Sequence, residues 1–164
     1  MQGRTIQSVL APLIYGGQVA EAIQRLKHRG ASHLARPLGR LMRPLVPVDL
    51  DVALPVPLHP RRLRARGYNQ SALLARVACR RLLPLRHDLL DRIRDTPAQK
   101  DLGPRQRWAN VQGAFGAGRA ARGLRLLLVD DVTTTGATAA ACAAALLDAG
   151  ALEVHLLTLA RAVP

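Results

Sequence analysis

The chain has 164 residues, about one ordinary domain and long enough to bury an apolar core without disulfides or metals. Hydrophobic residues make up 49% of it with no long uncharged apolar run, so the composition argues against a membrane-spanning or disordered protein, and no membrane partner is expected. The formal net charge of +13 indicates anionic partners such as nucleotides, pyrophosphate or nucleic acid. Codon bias would explain arginine in place of lysine, but not the excess of bases over acids.

The N-terminal residues and the cysteines bear on location and redox chemistry. Residues 1–17 hold an apolar stretch that Pro12 interrupts, with no cleavage site, so we expect no signal peptide and a cytoplasmic location. Cys79 and Cys142 fall in alanine- and leucine-rich helical stretches, where a lone thiol is usually a small buried hydrophobe. We therefore expect neither a disulfide nor a zinc site.

The first half of the chain mixes helical and extended segments. Val19, Ile23 and Leu26 recur at helical spacing and Gly30 follows as a C-terminal cap, which predicts a helix. In chain order the predicted elements are helices over 18–29 and 32–42, a buried strand over 51–57, a basic loop over 59–69, a helix over 70–83 and a strand near 89–93. We assign residues 1–48 to a helical N-terminal or hood segment and 49–164 to the core of a single domain.

The second half predicts a polar loop followed by the strongest strand of the chain. Residues 94–107 have almost no apolar content and contain proline and glycine, which predicts an exposed, mobile loop. We expect Trp108 and Phe115 to anchor the next segment in the core. The remaining predicted elements are a central strand over 126–129, a helix over 137–149 and a final strand over 154–159.

This alternation implies an α/β fold with a parallel sheet and right-handed crossovers. In such sheets ligands bind beyond the carboxyl ends of the strands, where Asp130 and Asp131 stand. Their carboxylates suit ribose hydroxyls, since each oxygen accepts hydrogen bonds. The turn that follows leads into a helix, whose N–H groups and dipole can hold a phosphate together with nearby hydroxyls. The phosphate-binding candidates are Thr133, Thr134, Thr135, Gly136, Ala137 and Thr138.

Three other interpretations compete with a phosphate-binding turn. A Walker A loop ends in Lys-Ser or Lys-Thr, and no such lysine is present. Gly116, Gly118 and Ala121 match a G-x-G-x-x-A dinucleotide fingerprint, but they precede a strand instead of following one. The third is an ordinary capped helix after a strand, in which Thr135 only caps the helix.

The segment VDDVTTTGAT, residues 129–138, resembles the phosphoribosyl pyrophosphate signature of type I phosphoribosyltransferases. Residues 54–76 and 94–115 together with that signature are similar to the ComF competence-protein family, and the resemblance covers nearly the whole chain. Many members carry a Cys-rich zinc-binding module before this domain, whereas no C-x-x-C occurs here. We expect either a naturally short member or one that lacks its N-terminal part.

The resemblance implies the type I phosphoribosyltransferase fold: a central, mostly parallel sheet flanked by helices, with a small N-terminal hood and a flexible loop. It implies phosphoribosyl pyrophosphate as the substrate and Mg²⁺ as a cofactor that binds through the substrate. No direct protein ligand to the metal is expected, and Asp130 and Asp131 stay open as candidates for one. The catalytic candidates are Asp130, Asp131 and Arg107, with the two aspartates holding the sugar.

The resemblance also assigns pyrophosphate to the loop after the first core strand. Its candidates are Pro57, Leu58, His59, Arg61 and Arg62. Guanidinium groups suit phosphate oxygens, but a solvated basic surface is the alternative, and a structural role for His59 is about as well supported. Asn69 either belongs to the family pattern or caps a helix. Polar candidates of the flexible loop, which would exclude water as a lid, are Thr96, Gln99 and Asn110.

Two classes of function stay open from the sequence. A phosphoribosyltransferase would displace pyrophosphate from ribose with the nitrogen nucleophile of an unidentified acceptor. The alternative is a non-catalytic competence protein of DNA uptake that associates with single-stranded DNA, or a nucleotide sensor with the same fold. The net charge favours this alternative, although the chain offers few aromatic side chains for stacking bases. A homodimer is left open.

Overall fold

A five-stranded sheet lies at the centre of the computed structural model, which describes residues 6–28, 30–96 and 103–163. The strands of this sheet and of a smaller one are β1 (Val9–Leu10), β2 (Leu13–Ile14), β3 (Val52–Pro55), β4 (Leu90–Arg92), β5 (Phe115–Ala117), β6 (Arg125–Thr133) and β7 (Glu153–Arg161). β7 pairs in parallel with β1, β2 and β6, and β6 pairs in parallel with β3. β4 and β5 form a separate antiparallel pair. The predicted parallel α/β fold is confirmed.

Helices cover both faces of the large sheet. The α-helices within the described residues are α1 (Gly17–Leu26), α2 (Ala35–Met42), α3 (Pro60–Arg66), α4 (Gln70–Ala78), α5 (Pro104–Val111) and α6 (Ala137–Asp148). Buried side chains of α1, α2 and α4 share one apolar cluster, and those of α5, α6, β4 and β5 share the other. No helix in the described part of the chain combines the length and the apolar character that crossing a membrane requires.

β6 is central because its side chains are apolar on both faces. Leu126 and Leu128 belong to the cluster beneath α6, while Leu127 and Val129 belong to the cluster beneath α2 and α4. Successive side chains of a strand point to opposite faces, so this uninterrupted apolar run fits a strand buried on both sides. The predicted central strand is confirmed, and it extends through the two aspartates to Thr133.

The basic segment after β3 is a correction, since it forms helix α3 where the sequence analysis predicted a loop. The His59 side chain accepts a hydrogen bond from the Arg61 backbone N–H, and Pro60 occupies the first helical position. Gly67 ends the helix with a φ of 88°, the left-handed conformation that glycine adopts readily. The start and stop signals of this helix are present in the sequence. The high arginine content led to the prediction of a loop because the segment has no apolar helical pattern.

Two further predictions were wrong. The loop predicted over 94–107 gives way to α5 at Pro104, where the Gln106 side chain accepts a hydrogen bond of 3.0 Å from the Gly103 N–H. Trp108 was expected in the core but is 49% exposed, whereas Phe115 is buried as predicted.

The N-terminal segment, predicted to be helical, contains β1 and β2 in addition to helices. Strands of two residues are too short to show a periodic pattern in the sequence.

α2 and α4 approach closely at Gly39, which predicts a measurable cost for any side chain there. A Cβ atom at this position would lie 2.7 Å from the Val77 Cβ atom. We expect Gly39→Ala to lower the free energy of unfolding by about 2 kcal/mol in urea denaturation, as overpacking does. Val77→Ala in the same background should recover part of this loss. Gly118→Ala is the matched control because a Cβ there meets nothing within 4 Å, and an equal loss in it would contradict the prediction.

Candidate functional site

The sheet brings two loops together at the carboxyl ends of β3 and β6. Pro55 of β3 is in register with Val129 of β6, and the Val56 N–H donates a hydrogen bond of 2.9 Å to the Val129 carbonyl. The loop after β3 therefore begins beside Asp130. The Asn69 side-chain amide donates to the Val56 carbonyl at 2.9 Å, which fastens this loop to α4.

Asn69 also begins α4, as the capping alternative predicted. Its Oδ1 atom accepts hydrogen bonds from the backbone N–H groups of Ser71 (2.9 Å) and Ala72 (3.3 Å). The cap directs the first turn of α4 at β6, where the Ser71 hydroxyl donates a hydrogen bond of 2.9 Å to Asp130 Oδ1. The loop, the helix start and the first aspartate thus form one connected unit.

Asp130 is a buried carboxyl with an altered proton affinity. It is 9% exposed, and its Oδ1 atom accepts a second hydrogen bond of 2.9 Å from the Asp131 backbone N–H. Burial, followed by the nearby charge of Asp131, raises the pKa of Asp130 to about 7. The hydrogen bonds from Ser71 and Asp131 act in the opposite direction but are weaker. Near neutral pH this carboxyl can therefore both donate and accept a hydrogen bond.

Asp131 faces a lysine from the N-terminal part of the chain. It is 3% exposed, and the Lys27 Nζ atom lies 3.2 Å from its Oδ2 atom. This contact is an ion pair, and within the described ranges Oδ2 has no hydrogen-bond donor. Arg66 is a second cation in the field of Asp131: burial lowers the pKa of Arg66, and the Asp131 charge partly offsets this. A ligand hydroxyl could supply the missing donor.

The turn after β6 leads directly into α6. Gly136 precedes the helix with a φ of 76°, a conformation that disfavours any residue with a Cβ atom. The Thr135 hydroxyl accepts a hydrogen bond of 3.4 Å from the Ala137 N–H, so the capping role weighed for it is present too. Arg107 of α5 donates a hydrogen bond of 3.1 Å to the Thr134 hydroxyl. A guanidinium group and the positive end of a helix dipole thus meet at one turn.

The predicted pyrophosphate residues contact the segment after β4. The Arg61 Nη1 atom lies 3.1 Å from Asp95 Oδ2, and the His59 Nδ1 atom lies 3.7 Å from Asp95 Oδ1. Arg62 donates to the Thr96 carbonyl. Pro57 and Leu58 are half-buried in the connecting loop. Arg62 is therefore half-buried against protein groups, whereas the Arg61 side chain is 76% exposed and fits the solvated alternative apart from its contact with Asp95.

The candidates of the flexible loop have different positions. Thr96 was predicted in an exposed segment but is buried, with its hydroxyl accepting a hydrogen bond of 2.6 Å from Arg92. Asn110 is a half-buried residue of α5, and its carbonyl accepts a hydrogen bond of 3.1 Å from Arg94. Gln99 lies outside the described residues.

Asp130 and Asp131, called the acid pair below, contact two residues that are far from them in sequence and that sequence reasoning missed, Ser71 and Lys27. Ser71 was expected only as part of a helix, and Lys27 was not singled out. One signal for Lys27 was available, because it is one of only two lysines among 24 basic residues in a chain that otherwise uses arginine. Ser71 carries no such signal, since its role depends on the placement of α4 against β6.

The fold and the site together define a protein of the type I phosphoribosyltransferase fold. A solved structure described as the allosteric regulatory enzyme of purine biosynthesis matches 78% of this chain and 26% of its own, with a TM-score of 0.50 and 21% identity. That likeness supports the fold alone. A scan against models of protein families found no match.

Curated relatives identify the family. The DNA utilization protein YhgH of Escherichia coli (strain K12) is 35% identical over 159 residues, which are 93% of this chain and 67% of the relative. The Competence protein F of Haemophilus influenzae is 34% identical, with coverage of 85% and 66%, and the Competence protein ComFC of Bacillus subtilis is 29% identical, with coverage of 90% and 61%. The chain therefore belongs to the ComF competence-protein family, as the resemblance predicted. It spans about two thirds of the relatives' length, 65% in Salmonella typhi.

Proposed function

We propose that this chain binds the ribose 5-phosphate group of phosphoribosyl pyrophosphate at the acid pair and the turn over 133–138. The observation that carries the proposal is the buried Asp130–Asp131 pair at the end of β6, directly before a glycine turn and a helix N-terminus. Carboxyl groups suit vicinal ribose hydroxyls, and the turn suits a phosphate dianion. Asp131 Oδ2 supports this division, since a ribose hydroxyl would give it the hydrogen bond that it lacks in the described structure.

The adjacent arginines suit the leaving pyrophosphate. In phosphoribosyl transfer the bond from the anomeric carbon to pyrophosphate oxygen breaks, and a bond to the acceptor nitrogen forms. Arg61 and Arg62 follow the loop that begins beside Asp130, so their guanidinium groups can neutralise the charge that grows on the departing group. Arg107, held at Thr134, can orient the 5-phosphate. Asp130 and Asp131 hold the sugar and are not assigned the role of the base.

Magnesium would enter with the pyrophosphate. The described residues contain no cluster of three or more His, Cys, Asp or Glu side chains able to hold a metal by themselves. The acid pair nevertheless fits an ion that arrives with its own phosphate oxygens, because its two carboxyl groups would lie beside the ribose hydroxyls of the proposed ligand. When bound, Mg²⁺ would neutralise the phosphate charge.

Ligand binding can be tested by thermal and chemical denaturation with Mg²⁺ and phosphoribosyl pyrophosphate. A ligand at a hundred times its dissociation constant should add about 2.7 kcal/mol to the free energy of unfolding. The double variant Thr134→Ala/Asp131→Asn should remove this gain, because the two substitutions take away one proposed contact to the phosphate and one to the ribose. Asp49→Asn changes an exposed carboxylate outside the site and should keep it.

The outcomes separate binding from catalysis. An unchanged stability of the parent protein in saturating ligand would refute the site itself. A stability gain without release of pyrophosphate across nitrogen acceptors would leave a sensor of the nucleotide or of the activated sugar. Release of pyrophosphate that the double variant lacks would support transfer.

Association with single-stranded DNA is the second candidate function. The observations that favour it are the net charge of +13 and the names of the relatives, which refer to DNA utilization and competence. It does not compete with ribose-phosphate binding, because a polyanion needs a surface much longer than one turn.

A further inference from the structure

A groove between α2 and the C-terminal part of α4 carries a concentration of arginine. Its volume is about 850 Å³. Apolar groups of Leu73 and Val77 line it alongside the cations. We call it the arginine groove. The arginines that line it are Arg36, Arg40, Arg43, Arg76, Arg80 and Arg81.

The charge of the arginine groove is uncompensated. Five of its six arginines are exposed, and no carboxylate in the described ranges lies within 4.0 Å of any of the six. Arg43 has a structural contact instead, since it is half-buried and donates to the Arg80 carbonyl at 2.6 Å. In contrast, Arg61 and Arg125 elsewhere in the chain each pair with an aspartate. So many like charges on one groove raise the free energy of the protein alone and favour a polyanion.

The walls of the groove are held at a fixed separation. α2 and α4 touch where Gly39 meets Val77, so the arginines on the two sides of the groove cannot move apart without unpacking the helices. Arg36 and Arg40 lie four residues apart on α2, which is a rise of about 6 Å. Arg76 lies in the last turn of α4, and Arg80 follows in the turn after that helix ends at Ala78. Arginines from both helices and from the turn after α4 therefore line the groove.

Arg81 has a backbone conformation that arginine rarely adopts. Its φ is 61°, in the left-handed region that favours glycine and asparagine. The residue is exposed, so packing of the side chain in the core does not explain the choice of arginine. Its side chain instead adds a cation at the end of the arginine groove.

We propose that the arginine groove binds the backbone of single-stranded nucleic acid, which rests on the second candidate function above. Guanidinium groups bind phosphate oxygens in pairs and also stack on bases, a property that matters in a chain with 2% aromatic residues. The apolar lining by Leu73 and Val77 gives bases a surface that a purely polar acidic peptide would not need. No residue of the acid pair or its turn lines the groove. α4 connects the two sites, with Ser71 beside Asp130 in its first turn and Arg76 beside the groove in its last turn.

The test is anisotropy of a labelled oligothymidylate as a function of salt. For single strands each phosphate contact contributes about 0.7 to the slope of log affinity against log salt. Arg40→Gln/Arg76→Gln should therefore lower that slope by about 1.4 and weaken binding. Arg119→Gln/Arg122→Gln removes the same charge from exposed positions outside the groove and should leave the slope unchanged.

The single variant Arg81→Gly tests whether weaker oligonucleotide binding could result from misfolding. Arg81→Gly should lower the slope by about 0.7 while the Tm stays equal or rises, because glycine relieves the left-handed backbone. Equal losses in the groove and control doubles would overturn the proposal, since binding would then follow net charge alone. Displacement of the oligonucleotide by polyglutamate at equal charge concentration would also overturn it in favour of an acidic protein partner.

The two sites can fail separately. Arg40→Gln/Arg76→Gln should retain the stability gain with Mg²⁺ and phosphoribosyl pyrophosphate, so its loss would mean that the variant disturbs the whole domain. Oligonucleotide binding that is insensitive to the groove would refute this surface only. Absence of oligonucleotide binding by the parent protein would refute both the surface and the second candidate function.

Discussion

Asp130→Asn should raise the free energy of unfolding at pH 8 by about 4 kcal/mol. The folded protein holds the pKa of Asp130 at about 7, against 3.8 for the ordinary side chain, mainly because the carboxyl is buried. Keeping it ionised above pH 7 costs about 1.4 kcal/mol for each unit of that difference. Asparagine retains an acceptor for the Ser71 hydroxyl and the Asp131 N–H, but it carries no charge to bury.

The pH dependence gives this prediction its sign. Between pH 4 and 7 the folded state binds more protons at Asp130 than the unfolded state does, so ionisation should lower stability progressively as pH rises through this window. Below pH 4 both states are protonated and the difference between variant and parent should vanish. Above pH 7 it should be constant. Urea denaturation of both proteins from pH 4 to 8 measures it, with Asp49→Asn as an exposed control.

An opposite slope would contradict this assignment. If the stability of the parent relative to Asp130→Asn rises between pH 4 and 7, Asp130 is an ordinary stabilising carboxylate. The predicted result means that the protein retains a destabilising acid at the end of its central strand. Such a cost is typical of a binding site. We therefore expect Asp130→Asn to raise the stability of the protein and to lower its affinity for the proposed ribose ligand.

The part of this site that follows one strand into one helix could be predicted from sequence. Asp130, the turn and α6 are consecutive, and strand and helix patterns locate them without knowledge of the rest of the fold. The partners of the acid pair could not be predicted in this way. Ser71 is 59 residues from Asp130, and its role depends on how α4 packs against β6.

The helices missed in the basic and polar segments have a different cause. α3 and α5 are short, and neither has an apolar face that a periodic pattern would reveal. Their start signals are local, a capping residue and then Pro60 or Pro104, and these predict a helix only where composition does not first suggest a loop. Trp108 was misplaced for a related reason. An aromatic residue usually anchors a core, but here the Trp108 side chain is 49% exposed and lines an open pocket beside α6.

Lys27→Met should lower the free energy of unfolding at pH 8 by about 3 kcal/mol, the low end for breaking a buried ion pair. The Lys27 Nζ atom lies 3.2 Å from a carboxylate oxygen of Asp131, and the two side chains are 24% and 5% exposed. Methionine has similar helix propensity and length, so the change removes mainly the charge. The penalty should be smaller at pH 5, because Lys27 also lowers the pKa of Asp130 and its loss favours proton uptake by Asp130.

A double-mutant cycle with Asp131→Asn separates charge pairing from packing. Lys27→Met/Asp131→Asn should be close to Asp131→Asn alone, since a neutral amide leaves no buried charge to compensate. Arg25→Met, an exposed cation on the same helix, should change stability by less than about 0.5 kcal/mol. Strictly additive losses would show that Lys27 acts through packing of α1. Coupling would show that the end of α1 is tied to the acid pair by charge, because the residue that caps this helix then balances a carboxylate 104 residues away.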